Sequence, residues 1–234
     1  MDIGNNSDQP MGLKFGPIVL MPDIEKRHLF TLFFGAFFGI ASMAFVNVFN
    51  YSIFSALQIP QEEFGSVAGT LTAVQEVVVV SVIGLFGALS DKVGRRLVYS
   101  MGFFLLGIGY FIYPLADNTT ELYLFRIFVA LGCAANTVML PTVANDYVHG
   151  STRGRLIAFT SILNGLGLVL IISTFRNFAT FYEQLEAPEI LINLGYDTAN
   201  WAQYTFWSAS AMVFIVSIVL YTNLKKGTAE ATAK

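Results

Sequence analysis

Six apolar runs, separated by polar connectors, fill most of this chain: residues 29–54, 66–89, 97–115, 122–143, 156–175 and 204–222. Each reaches the length of about 17–25 residues that a helix needs to cross the hydrocarbon of a bilayer. Apolar residues come in unbroken blocks with no period-two alternation, so the pattern predicts helices and no transmembrane strands. The fold class it implies is an all-α membrane protein, a six-transmembrane-helix bundle over 29–223. A polar segment, 1–28, precedes the bundle, and 224–234 follows it as a tail or the start of a linker.

The connectors are of two kinds. Residues 55–65 carry Pro60, Glu62 and Glu63; 116–121 carry Asp117 and Glu121; the long connector 176–203 carries Glu183, Glu186, Glu189 and Asp197. The alternate set holds Lys92, Arg95 and Arg96, then Arg153 and Arg155, then Lys225 and Lys226. Of the 13 Lys and Arg residues, only Arg126 and Arg176 fall outside the second set and the two tails. The excess of bases marks the cytoplasmic side. Both termini are therefore expected in the cytoplasm of a multi-pass protein, with a plasma (bacterial inner) membrane as its location. The only apolar piece of the first segment, Pro17-Ile18-Val19-Leu20-Met21, is too short for a signal-peptide core, so 1–28 reads as an uncleaved cytoplasmic tail. Trp201, Tyr204 and Trp207 close the acidic connector at headgroup level. The pattern leaves open whether that connector is a surface helix or an irregular loop.

Composition narrows the functional classes. Charged residues are 12% of the chain, about half the share of a soluble domain, which again indicates membrane. The net charge of −3 and the lack of a basic stripe exclude nucleic acid as a partner. Cys133 is single and sits inside an apolar run, so no internal disulfide can form. His28 and His149 lack companion ligands, so neither a metal nor a cofactor is expected. No nucleophile–base pair or phosphate loop supports an enzyme, so no catalytic residue is assigned.

Polar residues inside the spans are the candidates for function, because an ionisable group in hydrocarbon costs a few kcal/mol. Glu76 lies midway along the second span. It shares a helical face with Gly65, Gly69, Thr72, Ile83 and Gly87, whose small members favour close helix contact. Glu76 is thus expected to point into the bundle or a water-filled path, either as a proton- or substrate-handling carboxylate or as a structural ion pair. Arg126 lies one turn into the fourth span, in the outer half with Glu76. It could pair with Glu76 or snorkel outward. Asn47 and Asn50 on the first span, Asn136 on the fourth and Asn164 on the fifth can bond a ligand or join helices. The third and sixth spans carry neither charge nor side-chain amide and read as outer, lipid-facing helices. Pro141 should bend the fourth span near its cytoplasmic end.

The densest charge lies between the second and third spans, in Gly87-Ala88-Leu89-Ser90-Asp91-Lys92-Val93-Gly94-Arg95-Arg96. Gly94 permits a tight turn with positive φ. Asp91 ends a helix whose dipole disfavours an acid and needs a compensating base. Arg95 can offer a guanidinium fork to a carboxylate, with Asp146 at the end of the fourth span a sensible target. This stretch resembles the loop signature of the major facilitator superfamily, Gly-x-Leu-small-Asp-basic-x-Gly-Arg-basic, at the same place between spans. Arg126 with Gly132 is similar to the family's fourth-span pattern, and Asp146 followed by Arg153-Gly154 to its next cytoplasmic connector. The Gly-Pro pair of the drug antiporters is missing from Asn164-Gly165-Leu166-Gly167.

The resemblance implies that Gly87, Asp91, Lys92, Gly94, Arg95, Arg96, Asp146 and Arg153 form a cytoplasmic gate. It leaves Glu76, Arg126, Asn47, Asn50, Asn136 and Asn164 as the candidate translocation path. It also implies a fold of two six-helix bundles, of which this chain would be the first. A second bundle is then an expected partner, besides membrane lipid and a small-molecule substrate. Two functions compete: half of a secondary transporter working by alternating access, with proton coupling through Glu76, or a non-transporting assembly subunit reusing the fold.

Overall fold

The computed structural model describes residues 12–184 and 201–225. A two-stranded hairpin, β1 (Lys14–Phe15) and β2 (Ile18–Val19), leads into six helices. They are α1 (Lys26–Ala56), α2 (Phe64–Val93), α3 (Arg95–Ile112), α4 (Thr119–Tyr147), α5 (Arg153–Gln184) and α6 (Trp201–Asn223). All six are long and apolar enough to cross a membrane, and each contains one expected span, the third together with the 3-10 turn Tyr113–Leu115 that follows α3. The fifth gains most: α5 runs on to Gln184 through the first part of the connector expected at 176–203. Residues 185–200 of that connector, 1–11 of the first segment and 226–234 of the tail lie outside the described residues.

Local chemistry sets the helix ends. α1 stops ahead of Pro60, with Gln58 in the left-handed region at φ 54°. α4 starts in a reciprocal cap: the Asn118 Oδ1 accepts from the Glu121 amide at 3.0 Å, and Glu121 Oε2 accepts from the Asp117 amide at 2.9 Å. Pro141 sits inside α4, which continues without a break to Tyr147.

Glycine decides which helices touch. α3 packs along α4 and α6, α1 along α5, and α2 along α4. A Cβ on Gly132 of α4 would lie 2.7 Å from the Gly102 carbonyl oxygen of α3, and one on Gly109 would lie 2.7 Å from Val129. On the other flank of α3, a Cβ on Gly107 would strike the Phe214 ring at 2.6 Å. Two serines of α6 complete that seam, Ser210 Oγ donating to the Gly107 carbonyl and Ser217 Oγ to the Ser100 carbonyl, both at 2.7 Å. Trp207 stacks on Phe111 and donates its indole N–H to the Phe111 carbonyl at 3.2 Å.

The third and sixth helices are therefore not the bare outer pair that their lack of charge suggested. Hydroxyls and glycines hold them together where amides and charges are missing. The least covered helices are α2 and α5: 17% and 28% of their most apolar stretches are buried, against 56% for α1, α3 and α4. A Cβ on Gly65, Gly69, Gly84 or Gly87 of α2, or on Gly154 or Gly165 of α5, would meet open space.

The segment expected to be a tail is folded over its described part. Gly16, at φ 54°, makes the hairpin turn, and Ile18, Leu20 and Ile24 are buried. The strap pairs with the α4–α5 connector: Leu20 bridges Val148, the Met21 amide donates to the Tyr147 carbonyl, and the His149 amide donates to the Val19 carbonyl. The Val19 amide donates to Thr152 Oγ1 at 3.1 Å, and Arg155 Nη1 to the Pro17 carbonyl at 2.9 Å. The apolar run 17–21, too short to be a signal core, is what the strap buries. Lys225 Nζ reaches Asp23 Oδ2 at 3.4 Å, so both described chain ends lie on one face of the bundle.

One contrast tests this packing. The Gly167 position abuts the Phe37 backbone at the α1–α5 seam, whereas Gly165, two residues away, faces open space. Gly167→Ala should lower unfolding stability by about 1–3 kcal/mol through overpacking. Gly165→Ala should be neutral or gain up to about 1 kcal/mol from helix propensity. Thermal unfolding of the two purified variants, followed by size-exclusion, checks the order.

Candidate functional site

Two polar centres emerge, one on the face that carries the chain ends and one inside the bundle.

The first is the signature turn. Gly94, at φ 97° and ψ 141°, ends α2 and starts α3 in one residue, as the positive-φ expectation required. The reversal puts Arg95 in the first turn of α3, one turn beyond Asp91. Its guanidinium lies between two carboxylates: Nη1 forms an ion pair with Asp146 Oδ2, and Nη2 stands 4.0 Å from Asp91 Oδ1. Arg95 therefore links the α2–α3 turn to the end of α4. It also answers the charge of Asp91 at a helix C-terminus, where the dipole is unfavourable to an acid. The guanidinium carbon of Arg96 sits 4.8 Å from the centre of the Tyr221 ring, tying α3 to α6 through a cation–π contact. Lys92 and Arg153 are exposed, Arg153 in the first turn of α5. Gly87 opens onto the uncovered side of α2.

The strap seats against the end of α4 that Arg95 holds. Tyr147, next to Asp146, offers its carbonyl to Met21, and its hydroxyl accepts from the Lys225 amide at 3.1 Å. The end of α4, which carries Asp146, is thus held by Arg95, and the connector that follows it by the strap.

The second centre is built on Arg126, which is 0% exposed and among the largest fully buried side chains of the protein. It does not snorkel. Its Nη2 donates to Asn47 Oδ1 of α1, and its guanidinium carbon stands 5.9 Å from the centre of the Tyr113 ring. Tyr113 in turn donates its hydroxyl to Asn50 Oδ1 at 2.9 Å. Asn47 and Asn50, three residues apart on one face of α1, thereby serve different ends of one network. Nε and Nη1 of Arg126 have no hydrogen-bond partner among the described residues, and no carboxylate there lies within ion-pair distance. An arginine keeps its charge in any protein environment, so the described side chains of this centre carry an unbalanced positive charge.

The remaining candidates are placed elsewhere. Asn136 is buried against Gly102 at the α3–α4 seam, and Asn164 lies beside Gly39 at the α1–α5 seam; neither joins Arg126. Glu76 is exposed, not packed inside the six helices, and makes no ion pair with Arg126. It sits on the face of α2 that also carries Gly65, Gly69 and Gly87, so the close contact those residues allow is not made within this bundle. Its sequence neighbour Gln75 points the other way and is buried, with Oε1 unpartnered. Tyr113 escaped the sequence reading because it follows a lipid-like run and looks like a headgroup aromatic. Its one cue is Pro114, which ends the helix and lets the ring turn inward.

Comparisons with known proteins agree with this architecture. The model of the Major Facilitator Superfamily matches residues 29–234. The chain is 27% identical over 139 residues to the riboflavin transporter RibZ of Clostridioides difficile, covering 59% of this chain and 30% of that one. It is 27% identical over 143 residues to a probable inorganic phosphate transporter 1-12 of Oryza sativa, covering 58% of this chain and 26% of that one. The fold of the proton:xylose symporter XylE, bound to 6-bromo-6-deoxy-D-glucose, superposes with a TM-score of 0.63 at 17% identity, over 87% of this chain and 46% of that one. The chain thus spans less than a third of these two curated relatives and about half of the solved transporter.

The Arg95–Asp146 pair is half exposed, at 34% and 44%, so its strength should be that of a surface pair. A double-mutant cycle of Arg95→Ala and Asp146→Ala in unfolding experiments should give a coupling of about 0.5–1 kcal/mol. That coupling should shrink as salt rises from 0.1 to 1 M, following the shorter screening length.

Proposed function

The chain belongs to the major facilitator superfamily, and from that membership we propose that it is the first six-helix half of a secondary transporter, moving a small solute by alternating access against a second bundle. The basic face, with both described chain ends, is the cytoplasmic one in this reading. There the Arg95 cluster holds the α2–α3 turn to α4 in one state and releases it in the other.

The uncovered face of α2 and α5 carries the proposal. Lipid would solvate the valines and leucines there, but it is a poor neighbour for Glu76 and for a row of glycines. A carboxylate in hydrocarbon costs a few kcal/mol, whereas one at the border of a water-filled path keeps its hydration. Glycines that meet open space suit the backbone of another helix coming close. A second bundle across this face would supply both the path and the contact. Glu76 would then be the group that takes up a proton as the path changes sides.

The transporters named above are named for riboflavin, phosphate and xylose, so membership does not select a cargo. Uptake tests the proposal directly. Membrane vesicles holding this chain with its second bundle are given labelled riboflavin, phosphate and xylose under an imposed proton gradient. Uptake of one of them should fall at least about tenfold with Asp91→Asn or Arg95→Ala, at unchanged protein level. Glu76→Gln should remove the dependence on the gradient. Rates indifferent to the gradient and to all three substitutions would reject the transporter reading.

A further inference from the structure

Arg126 is a permanent charge that the bundle buries and that has no counter-ion among the described residues. Among the described residues its guanidinium has the neutral Asn47 amide oxygen and the Tyr113 side chain as hydrogen-bonding neighbours, and Nε and Nη1 stay unpartnered. Burying a cation in this way is costly unless an anion answers it, because the interior screens charge poorly. The acids in the neighbouring spans do not answer it: Glu76 faces out from α2, and Asp146 is taken by Arg95.

The surroundings are those of a receptor. Tyr113 places its ring against the guanidinium and has its own hydroxyl committed to Asn50, which fixes the ring as one wall. Asn47 is the way in: it is exposed on α1 while its oxygen touches the buried Nη2. A neutral carbonyl is the weaker acceptor for a guanidinium. An oxyanion arriving at Asn47 would exchange a neutral hydrogen bond for charge-assisted ones, about twice as strong, and would reach the two nitrogens now unpartnered. Asn47 would then turn its amide N–H groups toward the same oxyanion.

We propose that Arg126, with Asn47 and Tyr113, is the binding site for an oxyanion group, a carboxylate or a phosphate, carried by a small solute. That the bound solute is cargo rests on the transporter reading above; that the site binds oxyanions does not. The planar fork of arginine fits both groups, and the same chemistry could come from a protein carboxylate, Glu76 or one on a second bundle.

Thermal unfolding of the full chain in lipid nanodiscs separates these sources. Sodium phosphate and sodium acetate are compared with sodium chloride at equal ionic strength. Phosphate or acetate should raise Tm saturably, by about 5 °C or more at a hundredfold excess over Kd, and chloride should not. Arg126→Gln should abolish the shift. Asn47→Asp, which tethers a carboxylate beside the guanidinium, should raise Tm without added anion and remove the response, so the test survives if Arg126→Gln does not fold. Glu76→Gln should respond as the parent does. A chloride response equal to the others, a shift that survives Arg126→Gln, or a shift seen only in Glu76→Gln would overturn the proposal, the last by showing a resident carboxylate in the site. The anion shift without uptake of any solute would count against transport alone, and uptake of a neutral solute without the shift against the oxyanion site alone.

Discussion

Backbone approach through glycine is the constraint on which the rest of this bundle depends. Gly132, Gly102, Gly107 and Gly109 bring α3 so near α4 and α6 that a single methyl group would collide. In a membrane, helices gain little from the hydrophobic effect on meeting, so close packing and interhelical hydrogen bonds must hold them. The serines of α6 that bond carbonyls of α3 add the second of these terms. With α3 locked between two neighbours and α1 against α5, the remaining glycines of α2 have no helix to meet. The same residue type that closes one side of the bundle leaves the other side prepared for a contact.

Charge follows the same division. On the face with the chain ends, Arg95 answers two carboxylates, and the strap of residues 12–25 fastens the connector that follows one of them. Inside, Arg126 is answered among the described residues by an amide and a tyrosine. On the open side, Glu76 is exposed on α2 and makes no ion pair among the described residues. A self-sufficient membrane bundle would pair its buried charges; among the described residues this one pairs the exposed set and leaves Arg126 and Glu76 without ion pairs. In the proposed reading both intramembrane charges look outward for their partners, one to a solute and one to a path.

Much of this was legible in the amino-acid pattern. Hydropathy gives the six helices directly, because length and apolar content are properties of each segment alone. The turn at Gly94 and the Arg95–Asp146 pair were readable because the spacing of a tight turn leaves few alternatives. Which helices lie outside was not readable from charge. α3 and α6 are joined by serine and glycine, which carry little hydropathic signal. The strap was hidden for a related reason: five apolar residues, 17–21, say nothing about which loop they will pair with. Glu76 and Arg126 could be named as costly but not oriented, since facing direction depends on the packing of several helices at once. Tyr113 entered the cluster through a bend at Pro114 that no periodicity marks.

The account's central claim is that the open side of α2 and α5 borders water, not lipid. Substituted-cysteine labelling in native membranes reads this directly, in a Cys133→Ala background that removes the buried native thiol. Glu76→Cys and Gly165→Cys are compared with Phe104→Cys, which sits on the exposed side of α3. The account predicts that a membrane-impermeant thiol reagent modifies positions 76 and 165 and spares 104. Equal protection at all three would place the open side in lipid and contradict it.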